Sequence, residues 1–506
     1  MEDYMIVTNA EHFKKYMLPE EFDAIRDHGN IAAMWKHCVE TYSERTAIEF
    51  AGVKHSFSEL DADAASLRSA LIEAGLKKGD RAALFIENSY DFVKAYLAAV
   101  TAGCCAVVLP AFLDETAVFG CMMKFGAKAL VSSPALEGKT AFAKEKAAHA
   151  VFMTSEARGV EAQPVCELSG DDACMIMFTG GTTGKSKGAL LSHRAVMQGV
   201  MNGCYGYKGV FDQRYLLALP LSHVFGLIRN LLTSLYTGSD MFIVENNKDM
   251  FRDIAIFRPT ILVTVPALAE MALSLSKKLG RNMLGDSLHH IICGAAAVAP
   301  YLVSEYEKFG IVLCPGYGLT ESANLVSGNP ESLRKPDSVG LPYPNQELEI
   351  VNGELLLKGS NMLDCYVGED EQAWEDGWFH TGDLARFDDE GFLYITGRTK
   401  EVIVLANGEN VSPAELEAHF NSLSFIQDSQ VFEDVDEAGR HFLALEVVLR
   451  ATELASLGED PKKAAEDKLW ELNAAQNPAE RVSRIVIRDT DFERSPSMKI
   501  IRYKKC

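Results

Sequence analysis

Between the apolar segment Ala173-Cys-Met-Ile-Met-Phe178 and Ser192-His-Arg, which reads as a helix start, lies Thr179-Gly-Gly-Thr-Thr-Gly-Lys-Ser-Lys-Gly188. Gly180, Gly181 and Gly184, interleaved with the hydroxyls of Thr179, Thr182 and Thr183, suit a loop that lays backbone N–H groups around phosphates, with Lys187 adding charge. A Walker A loop would need glycine five residues before Gly184. Position 179 is threonine, and Gly180 leaves the spacing one residue short. A merely flexible turn would need no such density of hydroxyls.

Further motifs follow in order: Pro220-Leu-Ser-His-Val-Phe-Gly-Leu227, Cys293-Gly-Ala-Ala-Ala297, Pro315-Gly-Tyr-Gly-Leu-Thr-Glu-Ser322 and Gly377-Trp-Phe-His-Thr-Gly-Asp383. Gly397-Arg-Thr-Lys400, Asn407-Gly-Glu-Asn410 and Ser495-Pro-Ser-Met-Lys499 complete the series. Singly, each has a plain structural reading. The Gly-Ala run could be a tight strand end, Thr320-Glu321 a helix cap, and Asp383 a turn aspartate after an aromatic strand. His223 could be packing and Lys499 an exposed tail lysine. Together, and in this order, they resemble the superfamily of adenylate-forming enzymes: acyl-CoA synthetases, nonribosomal peptide adenylation domains and beetle luciferases. The resemblance covers nearly the whole chain.

That resemblance implies roles. Gly294, Ala295 and Ala296 would form a slot for adenine, narrow enough for the base to approach the backbone, with Tyr317 stacked on it and Gly318 alongside. Thr320 would bind the α-phosphate, Glu321 would hold magnesium on the phosphate oxygens, and Asp383 would accept from both ribose hydroxyls. Arg398 would contact ribose or phosphate. Lys499 would be the catalytic cation, meeting charge as a carboxylate attacks the α-phosphorus and pyrophosphate departs. His223, Phe225, Gly226 and Gly316 would line the acyl pocket. The family's domain arrangement implies a nucleotide-binding domain over 1–397, a hinge over 398–400 turning at Lys400, and a mobile domain over 401–506. Asn407, Gly408 and Asn410 would belong to the face that meets the thiol. ATP and coenzyme A would be the co-substrates of the acid.

Departures from the family's pattern narrow the reading. Met498 stands where glycine often precedes the catalytic lysine, and Val404 where many aryl-CoA ligases have a second lysine. No acid near His223 would hold an α-amine, and no tryptophan after Glu321 would shorten the pocket. A roomy, mostly apolar pocket for a fatty or aryl acid is expected. Coenzyme A is the expected acceptor; a phosphopantetheine arm on an acyl carrier protein is the alternative. A nucleotide sensor without catalysis and a luciferase-like oxygenase are remoter readings.

The elements that must position these residues alternate between helical and extended patterns from about residue 30 to 390, as in Arg81–Glu87, then Asp91–Val100, then Cys104–Pro110. Such alternation predicts parallel-rich sheets flanked by helices. A small β-barrel-like part, carried by Gly353–Gly359, Asp376–Asp383 and Asp388–Gly397, precedes a compact α+β pattern after Arg398. The uncharged run Ala95–Leu113 is divided by Gly103 and reads as helix, turn and buried strand rather than a membrane span.

A chain of 506 residues suggests more than one domain. Its 71 acidic and 49 basic side chains leave a net charge of -22, which disfavours nucleic acid and anionic membranes as partners. The eleven cysteines show no metal-type pairing and read as buried apolar fillers in a reducing compartment. With no basic start or apolar signal stretch, a cytoplasmic location is expected.

Overall fold

The computed structural model describes residues 4–147, 150–179, 187–368, 374–404, 410–435, 441–454, 457–458, 460–494, 500 and 502. The chain forms a mixed α/β fold in which two large sheets share a helical layer. In the first sheet Arg81–Phe85 lies parallel to Cys105–Val108 on one side and to Ala129–Ser132 on the other. Ala173–Phe178 runs parallel to Cys105–Val108, then turns back antiparallel as Gly188–Ser192. In the second sheet the parallel strands Arg214–Leu217, Ile261–Thr264, His290–Cys293 and Val312–Tyr317 lie side by side.

Successive strand residues point to opposite faces, and here both faces are buried, which explains the continuous apolar runs. Ala82, Leu84, Ala106, Val108, Met175 and Met177 enter the shared core, whereas Ala83, Phe85, Cys105, Val107 and Ile176 enter an outer one. The second sheet divides likewise. Tyr215, Leu217, Ile261, Val263 and Ile292 face the shared core, and Leu216, Leu262, Ile291 and Leu313 face away. The adjacent thiols of Cys104 and Cys105 therefore serve different cores. Cys365, by contrast, is exposed, and Cys121 and Cys166 are half-buried, so the reading as buried fillers holds for only part of the set.

The helix Tyr90–Thr101 lies between the sheets and buries every residue except Asp91 and Lys94, which pair with each other at 2.8 Å. A helix enclosed on all sides reads as apolar all round. Gly103, at φ +81°, ends it before the strand Cys105–Val108. Among the described residues no helix is long and apolar enough to cross a membrane.

The β-barrel-like part is a six-stranded antiparallel sheet in which Gln346–Val351, Glu354–Gly359 and Trp378–Phe387 are successive neighbours and Leu393–Arg398 pairs with the last. From Arg398 the chain enters a 3-10 turn, Thr399–Glu401. Beyond it, Ile426–Val435, His441–Leu449 and Arg484–Arg488 form a separate sheet with its own core, built with the helices Pro413–Asn421 and Pro461–Ala474. Arg450 ties this part to the larger one, donating to the Tyr301 hydroxyl at 2.6 Å and to Glu270 at 3.3 Å.

Candidate active site

The carboxyl ends of the parallel strands open onto a continuous cavity of about 3550 Å³, where ligands bind in open α/β sheets. Thr179 and Lys187 line it and close the base of the phosphate-type loop, the Thr179 N–H donating to the Lys187 carbonyl at 2.9 Å. Gly180, Gly181, Thr182, Thr183 and Gly184 lie outside the described residues. Ser192 caps the helix His193–Asn202 by accepting from the Ala195 N–H, which fixes the chain's exit from the loop.

Gly294, Ala295 and Ala296 line the same cavity just past the strand His290–Cys293. Ala295 adopts φ +65°, a conformation uncommon for residues other than glycine. A Cβ on Gly294 would lie 3.1 Å from the Gly316 carbonyl, so the two strand ends are in close contact. Tyr317 and Gly318 follow on the neighbouring strand. A Cβ on Gly318 would fall 1.4 Å from the Asn324 carbonyl, leaving room for glycine alone. That tight return passes through Ala323 and Asn324, both at positive φ, and presents Thr320 and Glu321 in a short 3-10 turn rather than as a helix cap.

Glu321 Oε1 accepts from the Tyr366 hydroxyl at 2.7 Å, and the Lys187 ammonium stands 4.8 Å from the centre of the Tyr366 ring. Tyr366 thus joins the loop's lysine to the carboxylate expected to hold magnesium. Nothing in its own sequence surroundings marked it. Among the described residues no cluster of three or more His, Cys, Asp or Glu side chains could cage a metal. A single carboxylate linked through Tyr366 to Lys187 fits magnesium, which takes one or two protein carboxylates and completes its shell with substrate phosphates and water.

Asp383 is 4% exposed. Contrary to the sequence expectation it is not in a turn: the strand Trp378–Phe387 continues through it, with a bulge opposite Glu354–Leu356 and Gly382 at φ +70°. Asp383 sits opposite Arg398 across the antiparallel pair, which brings Arg398 Nε within 2.6 Å of Oδ1. The Tyr317 hydroxyl donates to Oδ2 at 2.6 Å. Burial, reinforced by the Asp383 charge, pushes the Tyr317 phenol well above its ordinary value, so it remains a neutral donor.

His223, Phe225, Gly226 and Gly316 also line the cavity. His223 Nδ1 accepts from the Phe225 N–H at 3.2 Å, which shapes the start of the helix Phe225–Leu232. Gly226 is required there, because a Cβ would meet the Pro220 carbonyl at 2.3 Å. Lys400 also lines the cavity. Asn407, Gly408 and Lys499 lie outside the described residues, and Asn410 opens the two-residue strand Asn410–Val411.

The AMP-binding enzyme family matches residues 35–367. The chain therefore belongs to the AMP-binding enzyme family. It is 29% identical over 392 residues to a feruloyl-CoA synthase of Amycolatopsis sp, covering 74% of this chain and 79% of that one. It is also 29% identical over 468 residues to a long-chain-fatty-acid–CoA ligase of Escherichia coli O157:H7, covering 79% and 82%. Among solved structures, the o-succinylbenzoate CoA synthetase of Bacillus subtilis in complex with its acyl-adenylate intermediate matches with a TM-score of 0.75 at 23% identity, over 92% of this chain and 96% of that one. The same Bacillus protein has been solved with ATP and magnesium ion.

Proposed function

We propose that this protein activates a hydrophobic carboxylic acid, fatty or aryl, as its acyl-adenylate with release of pyrophosphate, and passes the acyl group to coenzyme A. The observation that carries the reading is the convergence of Tyr317, Asp383 and Arg398 on one wall of the cleft that also receives Lys187, Thr320 and Glu321. The curated relatives reported above are named as CoA ligases or synthases, which favours coenzyme A over a carrier protein as acceptor.

In this reading the substrate carboxylate forms a bond to the α-phosphorus while the bond to the pyrophosphate oxygen breaks. Thr320 donates to the α-phosphate, and Asp383, held by Tyr317 and Arg398, accepts from the ribose hydroxyls. Lys499 meets the charge that develops between attacking and leaving oxygens. Glu321 would hold magnesium, whose charge would offset that of the phosphates. In the second step the thiol sulfur, having lost its proton, bonds to the acyl carbon and AMP leaves. Lys499 would obstruct that approach, so the chain beyond Lys400 turns about this residue and presents the face of Asn407, Gly408 and Asn410.

The test is ATP–pyrophosphate exchange across a panel of acids, followed by thioester formation with coenzyme A or with a phosphopantetheinylated carrier protein. Acid-dependent exchange with thioester formed only on coenzyme A is expected. Exchange with no acid rejects adenylation, and thioester formed only on the carrier protein rejects coenzyme A as acceptor.

A further inference from the structure

The segment Phe225–Leu232 is a π-helix, a form frequent at functional sites. Phe225 stands at its nucleotide end, 3.6 Å from where a Cβ on Gly294 would be. Arg229 comes four residues later, about one turn further along the helix, and lines the same cavity. It is 1% exposed. Nη2 donates to the Tyr207 hydroxyl at 3.1 Å. Nη1 is buried with no hydrogen-bond partner.

The groups around this guanidinium are the phenols of Tyr207, Tyr215 and Tyr343, of which Tyr215 also hydrogen-bonds to it, the thiols of Cys204 and Cys314, and the imidazole of His290. Burial pushes the Tyr207 phenol well above its ordinary value and holds the His290 imidazole down at about 4, so neither offsets a positive charge near neutrality. Among the described residues no carboxylate pairs with Arg229. Other buried arginines are matched: Arg68 donates to the Gln163 carbonyl and Thr101, and Arg450 reaches Glu270 and Tyr301. A buried, permanently charged group with an idle donor is costly unless an anion completes it, and Arg229 lines the same cavity as His223 and Phe225.

We propose that Arg229 sets acid specificity by binding a second carboxylate, carried by the substrate at the end remote from the carboxyl that is adenylated. This rests on the adenylation reading above and refines it: the acid has an apolar body between two anionic ends. The body fills the stretch between Phe225 and Arg229, and the distal carboxylate accepts from Nη1. The sequence expectation of a mostly apolar pocket overlooked a single arginine inside the apolar run Leu227-Ile-Arg-Asn-Leu-Leu232.

The test compares α,ω-dicarboxylic acids with monocarboxylic acids of equal length, plus one matched aromatic pair, by kcat/KM in ATP–pyrophosphate exchange with the wild-type protein. The dicarboxylic members should win by about a hundredfold or more, because a site built around a hydrogen-bonding group rejects an analogue that lacks its partner. Equal rates, or preference for the monoacids, overturn the proposal while leaving adenylation standing. Exchange with no acid at all overturns both. Arg229→Met should reverse the preference with the KM for ATP unchanged and the unfolding midpoint kept or raised. A fall in stability with both acid classes losing alike would assign Arg229 to structure and overturn the proposal. If the variant fails to fold, the wild-type comparison decides alone.

Discussion

Tyr317 and Asp383, 66 residues apart in the chain, are joined by a 2.6 Å hydrogen bond from the phenol to Oδ2. The bond links the end of a parallel strand to the middle of an antiparallel one, with Arg398 holding the other carboxylate oxygen. A carboxylate gripped from two sides is preorganised, so in the proposed mechanism an incoming ribose would meet a fixed acceptor.

Asp383→Ala should raise the ATP requirement of pyrophosphate exchange and slow it, since hydrogen bonds to a charged acceptor are worth about 1.5–3 kcal/mol each. Tyr317→Phe should raise the KM for ATP about tenfold, by the lower end of that range. Combined, the two changes should be less than additive, because both act on one carboxylate. Exchange kinetics unchanged across ATP concentrations would count against the ribose contact.

Gly318→Ala should be among the most damaging single methyl additions in the chain. The new carbon would fall 1.4 Å from the Asn324 carbonyl, and that neighbour is backbone which cannot rotate away. A loss of about 2–4 kcal/mol in urea unfolding is expected, with loss of exchange as the turn carrying Thr320 and Glu321 shifts. A variant with wild-type stability and exchange would show that the turn gives way freely.

Stability should fall as pH drops from 6.5 towards 4, partly through His193. This imidazole is fully buried, and its Nδ1 accepts from the Ile31 N–H at 3.3 Å. Burial lowers it to about 4, with the Asp172 charge opposing and Lys78 assisting. Within that window the unfolded chain binds a proton that the folded one refuses, so unfolding free energy declines with falling pH, by roughly 3 kcal/mol. His193→Gln should show a correspondingly flatter slope between pH 6.5 and 4.5 in denaturant titrations. An unaltered slope would mean the site admits the proton.

Lys499→Ala should abolish acyl-adenylate formation while sparing thioester formation from a supplied acyl-adenylate, because in the proposed mechanism only the first step develops the charge that this ammonium would meet. Exchange within about tenfold of wild type would remove Lys499 from the catalytic role.

Lys400→Pro should impair thioester output but leave adenylate formation largely intact. Proline fixes φ near -65° and restricts Thr399 as well, which blocks a backbone turn at this point. Burst measurement of bound acyl-AMP beside steady-state thioester output separates the steps. Loss in neither step would rule out rotation at Lys400.

The sequence by itself determined the family, the class of fold and the residue types that meet in the cleft. Those features rest on local requirements: alternating apolar runs specify buried strands and helices, glycines stand where no side chain fits, and hydroxyls crowd a loop suited to phosphates. Strands such as Arg81–Phe85 and Cys105–Val108 were legible because being buried on both faces leaves an unbroken apolar signature. Other relationships were decided only by tertiary structure. Asp383 looked like a turn residue because His-Thr-Gly-Asp has turn composition, yet pairing with Leu393–Arg398 carries the strand through it. The Tyr366 hydroxyl reaches Glu321 across 45 residues, and Arg229 lies among Tyr207, Tyr215 and Tyr343 with an unmatched charge. Which side chains touch across such separations depends on how sheets and helices stack, and no local pattern records it; the cost of a buried charge left open becomes visible only once its surroundings are assembled.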